Sequence, residues 1–192
     1  RTNSVKYLGI WMDENLNWKD HISYLQKKIV RFVGVFYKRR NIIPDECCRN
    51  LFYSFIHSII IFGIEIYSNT RSSYLKVTER TLNKILRILQ QKRIREVHVV
   101  DLYKQYNTLP ILPLFELQVL KFVHTFYFRK SKLPIVFHNY FKTNSSIHDH
   151  DTRQKDDYHL NVIRSYNGSR KLSSLGTYLW NHLSSEVKEI KS

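Results

Sequence analysis

Glycine and proline are scarce in this 192-residue chain, at five and four residues. So few breakers exclude the turn-rich pattern of a β-sandwich or barrel and favour long helices. Cysteine is scarcer still: Cys47 and Cys48 are adjacent and ill placed to bridge to each other, so no disulfide framework is available. A reducing, intracellular setting, nucleus or cytoplasm, is the expectation. No GxSxG elbow, Gly-rich phosphate loop or HExxH occurs, which leaves a free-standing enzyme without familiar machinery. The greasiest run, LFYSFIHSIIIFGIEIY over residues 51–67, carries His57 and Glu65 and is short for a bilayer span. It reads as a buried helix, and no membrane partner is expected.

Acidic residues are the other shortage. Asp plus Glu number 16 against 31 Lys plus Arg, a net charge of +15, and the excess runs along most of the chain. A basic folded domain is the electrostatic footprint of a polyanion binder, because neutralising backbone phosphates releases counterions. Without a lipidation signal or a cationic amphipathic tail, nucleic acid is the expected polyanion.

What the chain does have is apolar material, 43% hydrophobic and 14% aromatic, ample for burial. Val5 to Met12 is short and β-rich, and Asp13-Glu14-Asn15 supplies turn chemistry. Asn17 is placed to cap a helix running to about Arg40, whose Ile22, Leu25, Ile29, Phe32, Val33 and Phe36 recur on one face. Pro44 opens a second helix, apolar nearly all round, extending to about Tyr67. Ser72 or Ser73 caps a third, from Tyr74 to Gln91. A short helical turn at Val100 to Tyr106 precedes an amphipathic helix from Leu114 to Arg129 that ends at Leu133-Pro134. The polar stretch from Asn139 to Asp157 has too little apolar content to hold itself together and reads as a linker or a docked loop. Beyond it, Tyr158 to Arg164 alternates weakly, Asn167-Gly168 signals a turn, and Leu172 to Leu183 forms a closing helix with Trp180. The class is mainly α: a helical bundle with a short N-terminal β element and a small, partly irregular C-terminal extension.

Two basic groups stand out. Lys76, Arg80, Lys84 and Arg87 fall at i, i+4, i+8 and i+11, one wedge of the third helix, with Leu75, Leu82, Ile85, Leu86, Ile88 and Leu89 opposite. Lys27, Lys28, Arg31, Lys38, Arg39 and Arg40 form a second cluster on the first helix. Such stripes suit a phosphate backbone, which they would position without reading sequence; an ordinary solvated surface is the plainer alternative. His148, Asp149, His150 and Asp151 have ligand chemistry, but consecutive residues cannot all point at one ion, so loop packing is expected and no metal site. Cys47-Cys48 and Trp11, Trp18 and Trp180 read as packing groups.

Several of these segments, in order, resemble the C-terminal part of the reverse transcriptases of non-LTR retrotransposons of the LINE type (jockey, RTE and CR1-like). VKYLGIWMDENLNWKDHI resembles that family's VKYLGI-x-LD-x-x-L-x-W-x-x-HI element, and SFIHSIIIFGIEIYSNT its segment with an aromatic pair, here Phe62 and Tyr67. LNKILRIL, HVVDLYKQYNTLPI, HDHDTR and GTYLWNHLSSEVKEI resemble its QxxxlRxi helix, its LPI turn, its HxxxTR box and its WNxLPxxIK terminus, with Ser184 where the family usually has proline. The resemblance implies residues 1–16 as the end of the palm, with Tyr7, Leu8 and Gly9 in a hairpin that supports the primer end. It also implies a helical thumb over 17–138, a linker or docked loop over 139–157 and a small α+β extension over 158–192. The partners implied are RNA, RNA–DNA hybrid or DNA, and an upstream palm and endonuclease portion. No Tyr/Phe-x-Asp-Asp pair occurs, so the resemblance places the Mg²⁺ ions of polymerisation in that missing palm, leaving this chain with no catalytic residue and no cofactor of its own. With Arg1 first and Met12 the sole methionine, the chain reads as a piece of a longer protein. The alternatives are a non-enzymatic protein-interaction module or a relic of a retroelement without function.

Overall fold

The structure is a computed structural model that describes residues 3–149 and 153–190. The fold is mainly α, and the chain divides into two compact units, Arg1–Leu114 and Phe115–Ser192. That division falls inside the helix over residues 111–129.

The first unit opens with a hairpin, β1 (Ser4–Tyr7) and β2 (Ile10–Asp13), antiparallel with Lys6 opposite Trp11 and Tyr7 opposite Ile10. Leu8 and Gly9 make the turn, and both have positive φ, 45° and 89°, as a two-residue turn matched to strand twist requires. The Asp13 carboxylate then accepts the backbone N–H groups of Asn15, Asn17 and Trp18 at 3.1, 2.9 and 2.8 Å. Asn17 is therefore not the cap expected of it. Trp18, at φ 61°, is the N-cap residue, and Asp13 gathers the turn from five residues upstream.

Three helical rods follow. α1 (Lys19–Arg39) buries His21, Ile22, Leu25, Ile29 and Phe36, while Phe32 and Val33 are half-buried. The second rod is not the single helix expected from Pro44 to Tyr67. It consists of α2 (Asp45–Leu51), a π-helical segment (Phe52–His57), α3 (Ser58–Ile61) and, after a break at Phe62-Gly63, α4 (Ile64–Tyr67). Its buried groups explain this: Cys48, Phe52, Ile56, Ile60 and Ile64 recur every fourth residue. At about 100° per residue an α-helix would carry such a row round by about 40° at each step. The wider π turn takes up part of that slip and keeps the row on the core. Nor is the rod apolar all round to any purpose, since Phe55, Phe62 and Ile66 are about half exposed. Cys48 is buried and Cys47 exposed.

The third rod, α5 (Ser72–Leu89), begins with Ser72 already helical, so neither Ser72 nor Ser73 is the cap; Arg71 holds that position without a side-chain bond. The second rod runs antiparallel to α1, since His21 meets Tyr67 and Phe32 meets Phe55, ring centroids 4.8 and 5.6 Å apart. α5 runs parallel to α1. Thr70 Oγ1 donates to the Asn17 carbonyl (2.7 Å), Gln26 Nε2 to Thr81 Oγ1 (2.7 Å), and Gln91 Nε2 to the Arg40 carbonyl (3.1 Å), so the two helices keep step from end to end. α6 (Val99–Gln105) closes the unit against α5: Gln90 Nε2 donates to the Leu102 carbonyl at 2.8 Å and Tyr103 Oη to Asn83 Oδ1 at 2.7 Å.

α7 (Ile111–Arg129) accepts Pro113 in its first turn, where no intrahelical N–H is needed, and so starts three residues before the expected Leu114. Residues Ile111–Lys132 are long and apolar enough to cross a membrane. In the second unit, however, Val123 and Phe126 are buried in a cluster with Phe141, Tyr158 and Trp180. The described residues of the polar stretch after it are docked: Phe141 belongs to that cluster and the Asp157 carboxylate lies 3.6 Å from the Lys188 ammonium. Asn144 and Ser145 N–H donate to the Asp157 and Lys155 carbonyls at 2.9 and 3.0 Å, and Thr143 forms an isolated bridge with Tyr158. Among the described residues of this unit no strand forms, so Tyr158 to Arg164 contributes that bridge alone. Asn167-Gly168, expected as a turn, lies inside the one-turn helix α8 (Tyr166–Ser169), and α9 (Leu172–Asn181) and α10 (Ser185–Lys188) complete the chain.

Candidate nucleic-acid interface

The parallel course of α1 and α5 decides where their basic residues go. Gln26 and Thr81 mark the seam between the helices. Around α1, at about 100° per residue, Ile22, Leu25, Ile29 and Phe36 lie to one side of that seam and Lys27, Arg31 and Lys38 to the other. Around α5, Leu75, Leu82, Ile85 and Leu86 lie on the core side and Lys76, Arg80, Lys84 and Arg87 opposite. Because both core sides are buried in the same unit, both basic sides face the same solvent, and Lys27, Arg31, Lys38, Lys76, Arg80 and Lys84 are all exposed. Between the two rows runs a strip of exposed small and apolar groups, Ser23, Val30, Gly34 and Val77. The α1 row, Lys27 to Lys38, spans eleven steps, about 16 Å at 1.5 Å per residue, and the exposed α5 row, Lys76 to Lys84, eight steps, about 12 Å. These lengths match about five and about four base pairs at 3.4 Å each. One carboxylate, Asp20, shares the α1 side, in the first turn where the helix dipole favours it.

Two of the expected residues do other things. Arg87 is half-buried, and its Nη1 donates to the Arg93 and Val97 carbonyls, both at 3.1 Å, so it holds the loop after α5 in place. Lys28 does not join the face. It lies about 100° further round α1 than Lys27, and its ammonium sits 4.6 Å from the centre of the Tyr24 ring, which Lys6 approaches to 5.3 Å. These cations hold the Tyr24 phenol below its ordinary pKa, chiefly through its hydrogen bond with Lys28.

The structure adds residues that helical spacing alone misses. At the C-terminal end of the pair, an open cleft of ≈ 590 Å³ is lined by Arg40, Lys84, Arg87, Lys92, Arg93 and Arg95, with Glu96 its one carboxylate. Glu96 is taken up by its own loop, accepting the Arg93 N–H at 2.9 Å and lying 3.7 Å from the Arg93 guanidinium. Parallel helices bring two negative dipole ends together here, which favours cations. The sequence signal was the run QKRIRE over residues 91–96, directly after the α5 wedge.

Of the hairpin residues, Tyr7 and Leu8 are exposed at its tip, while Gly9 lies against Phe62, whose Cε1 is 3.1 Å from where a β-carbon would sit. In the second unit the ring of His148 lies 5.2 Å from that of His159. Among the described residues no three His, Cys, Asp or Glu side chains are grouped to hold a metal ion; His150 and Asp151 lie outside those residues.

No family model matches the chain, and no solved structure does. Among curated proteins, the RNA-directed DNA polymerase from the mobile element jockey of Drosophila melanogaster is 31% identical over 98 residues, covering 49% of this chain. The match spans 10% of that protein's length. This similarity supports a relationship between the chain and the reverse transcriptases of non-LTR retrotransposons.

Proposed function

We propose that the α1–α5 pair is a nucleic-acid-backbone surface, the thumb-like part of a non-LTR retrotransposon reverse transcriptase that holds template and primer for a palm encoded elsewhere. The observation that carries this reading is the gathering of Lys27, Arg31, Lys38, Lys76, Arg80 and Lys84 on one solvent face by a parallel helix pair. Two rows of cations flanking an uncharged strip give phosphates something to sit on and leave the bases unread. The partners this reading implies are RNA, RNA–DNA hybrid or DNA, and the setting is the nucleus or cytoplasm.

Polymerisation needs clustered carboxylates to hold two Mg²⁺ ions. The acidic residues of this chain do not fit that requirement, since no Tyr/Phe-x-Asp-Asp pair occurs in its sequence. Its part is to bind and position, not to react.

The test is the affinity of the whole chain for a labelled RNA–DNA hybrid across a salt series. Six phosphate contacts on a duplex give a slope of log affinity against log salt of roughly −5. Arg80→Glu with Lys84→Glu should flatten that slope by about 2 and lower affinity at every salt concentration. Binding that ignores salt, or its absence at low salt, overturns the proposal.

A further inference from the structure

A second cationic site lies in the same unit, off the helix face. A cleft of ≈ 360 Å³ at the foot of the hairpin is lined by Lys6, His21, Tyr24, Lys28 and Phe62, among others, with no carboxylate in its wall. Both ammonium groups converge there on the Tyr24 ring, at 5.3 and 4.6 Å from its centre. Two like charges brought to one ring repel each other unless an anion lies with them.

The buried groups point the same way. Nδ1 of His21 accepts the backbone N–H of Trp11 at 3.3 Å, so in the neutral ring Nε2 carries the proton. That Nε2 is buried and has no hydrogen-bond partner. Trp11 Nε1 is likewise buried and unpartnered, and Trp11 sits opposite Lys6 in the hairpin ladder, so the two side chains share a face. The cleft wall thus holds the unpartnered His21 N–H, two ammonium groups and a phenol with no anionic acceptor, and the second unpartnered donor, on Trp11, lies beside it, its ring 6.3 Å from that of Tyr24. An acceptor with several oxygens and negative charge is what such a set lacks.

We propose that this cleft is a discrete oxyanion site that takes one phosphate group. It does not depend on the duplex-binding reading: Lys6 is not on the α1–α5 face, and Lys28 points away from it. The phosphate has two sources, a free or terminal phosphomonoester and a phosphodiester within a strand.

The experiment is a titration of the full chain with inorganic phosphate at constant ionic strength, read by the ¹H–¹⁵N signal of the Trp11 indole. The three tryptophans give three such signals, and Trp11→Phe identifies the one that matters. Saturable movement of that signal, weakened at least tenfold in Lys6→Gln/Lys28→Gln and retained in Arg80→Glu/Lys84→Glu, supports the site. Lys6 is exposed and Lys28 half-buried, and circular dichroism confirms that the double variant is folded. Competition by a 5′-phosphorylated dinucleotide alone assigns the site to a terminal phosphate, and competition by its unphosphorylated counterpart as well assigns it to backbone phosphate. A signal that does not saturate, or that saturates equally in the Lys6→Gln/Lys28→Gln variant, overturns the proposal.

Discussion

The two units solve the same problem with different materials. In Arg1–Leu114 the fully buried groups are mostly aliphatic, Ile29, Ile56, Ile60, Ile64, Ile85 and Leu86, and long rods supply most backbone hydrogen bonds internally. In Phe115–Ser192 the core is aromatic, Phe126, Phe141, Tyr158 and Trp180, and much of the chain around it is irregular. Irregular backbone has to find its partners one at a time. Asn181 does this for Tyr158, accepting its N–H at 3.1 Å and donating to its carbonyl at 2.8 Å. Long amphipathic rods leave a continuous outer face, where charge can accumulate in rows. In the second unit the long helix, α7, carries Lys121 and Arg129 as its basic groups and the helices after it are short, so no comparable stripe forms among its described residues.

The strongest test of that contrast is Trp180→Ala. Loss of a buried tryptophan should cost about 3–5 kcal/mol. It should lower the unfolding transition of the aromatic unit while the helical rods of the first melt as before, as followed by far-ultraviolet circular dichroism and differential scanning calorimetry. A single transition that shifts as a whole would show that the two cores unfold as one.

Acid should act on the first unit through His21. Burial, reinforced by the charge of Lys28, holds its pKa down to about 4, against 6.5 when unperturbed. Between those values the unfolded chain binds a proton that the folded chain refuses, so stability present above pH 6.5 is lost as pH falls towards 4, by up to about 3 kcal/mol. Urea midpoints across that window should fall, and His21→Phe should flatten the dependence. A midpoint equally acid-sensitive in the variant would place the proton elsewhere.

Two glycines sharpen the distinction between the seams of the first unit and its open face. Gly63, at φ 68°, sits where a β-carbon would fall 2.6 Å from Ile10 Cδ1, so Gly63→Ala should destabilise by about 1–3 kcal/mol. Gly34, within α1, has nothing within 4 Å, so Gly34→Ala should stabilise by about 0.5–1 kcal/mol. Denaturant titration of both variants measures the difference, and equal effects would contradict the assignment of Gly34 to an open face.

Much of the first unit was legible beforehand because its information is local. Ile22, Leu25 and Ile29 on α1, and Leu82, Ile85 and Leu86 on α5, declare a buried side by their spacing, and the charges opposite follow. The second rod misled because its four-residue repeat, Cys48 to Ile64, fits neither helix nor strand and is resolved by a π segment and a break at Gly63. The caps misled for a related reason: Asn17 and Ser72 have the right chemistry, but Asp13, set by the hairpin, holds the Asn17 and Trp18 N–H groups and leaves Trp18 as the α1 N-cap, while the α5 N-cap position falls on Arg71 and Ser72 is already helical.

The sequence by itself determined that the chain is helical, that it is basic, and that α1 and α5 each carry a cationic wedge, because periods of three to four residues and local charge are properties of neighbours along the chain. Only the tertiary structure decided that the two helices run parallel and lay those wedges side by side. It also turned Lys28 away to meet Lys6 and Tyr24 beside the unpartnered Nε2 of His21, and spent the Arg87 guanidinium on a loop. Those outcomes rest largely on contacts between residues far apart in the chain, such as Gln26 with Thr81 and Gln91 with Arg40, and no local pattern encodes which rod a side chain will meet.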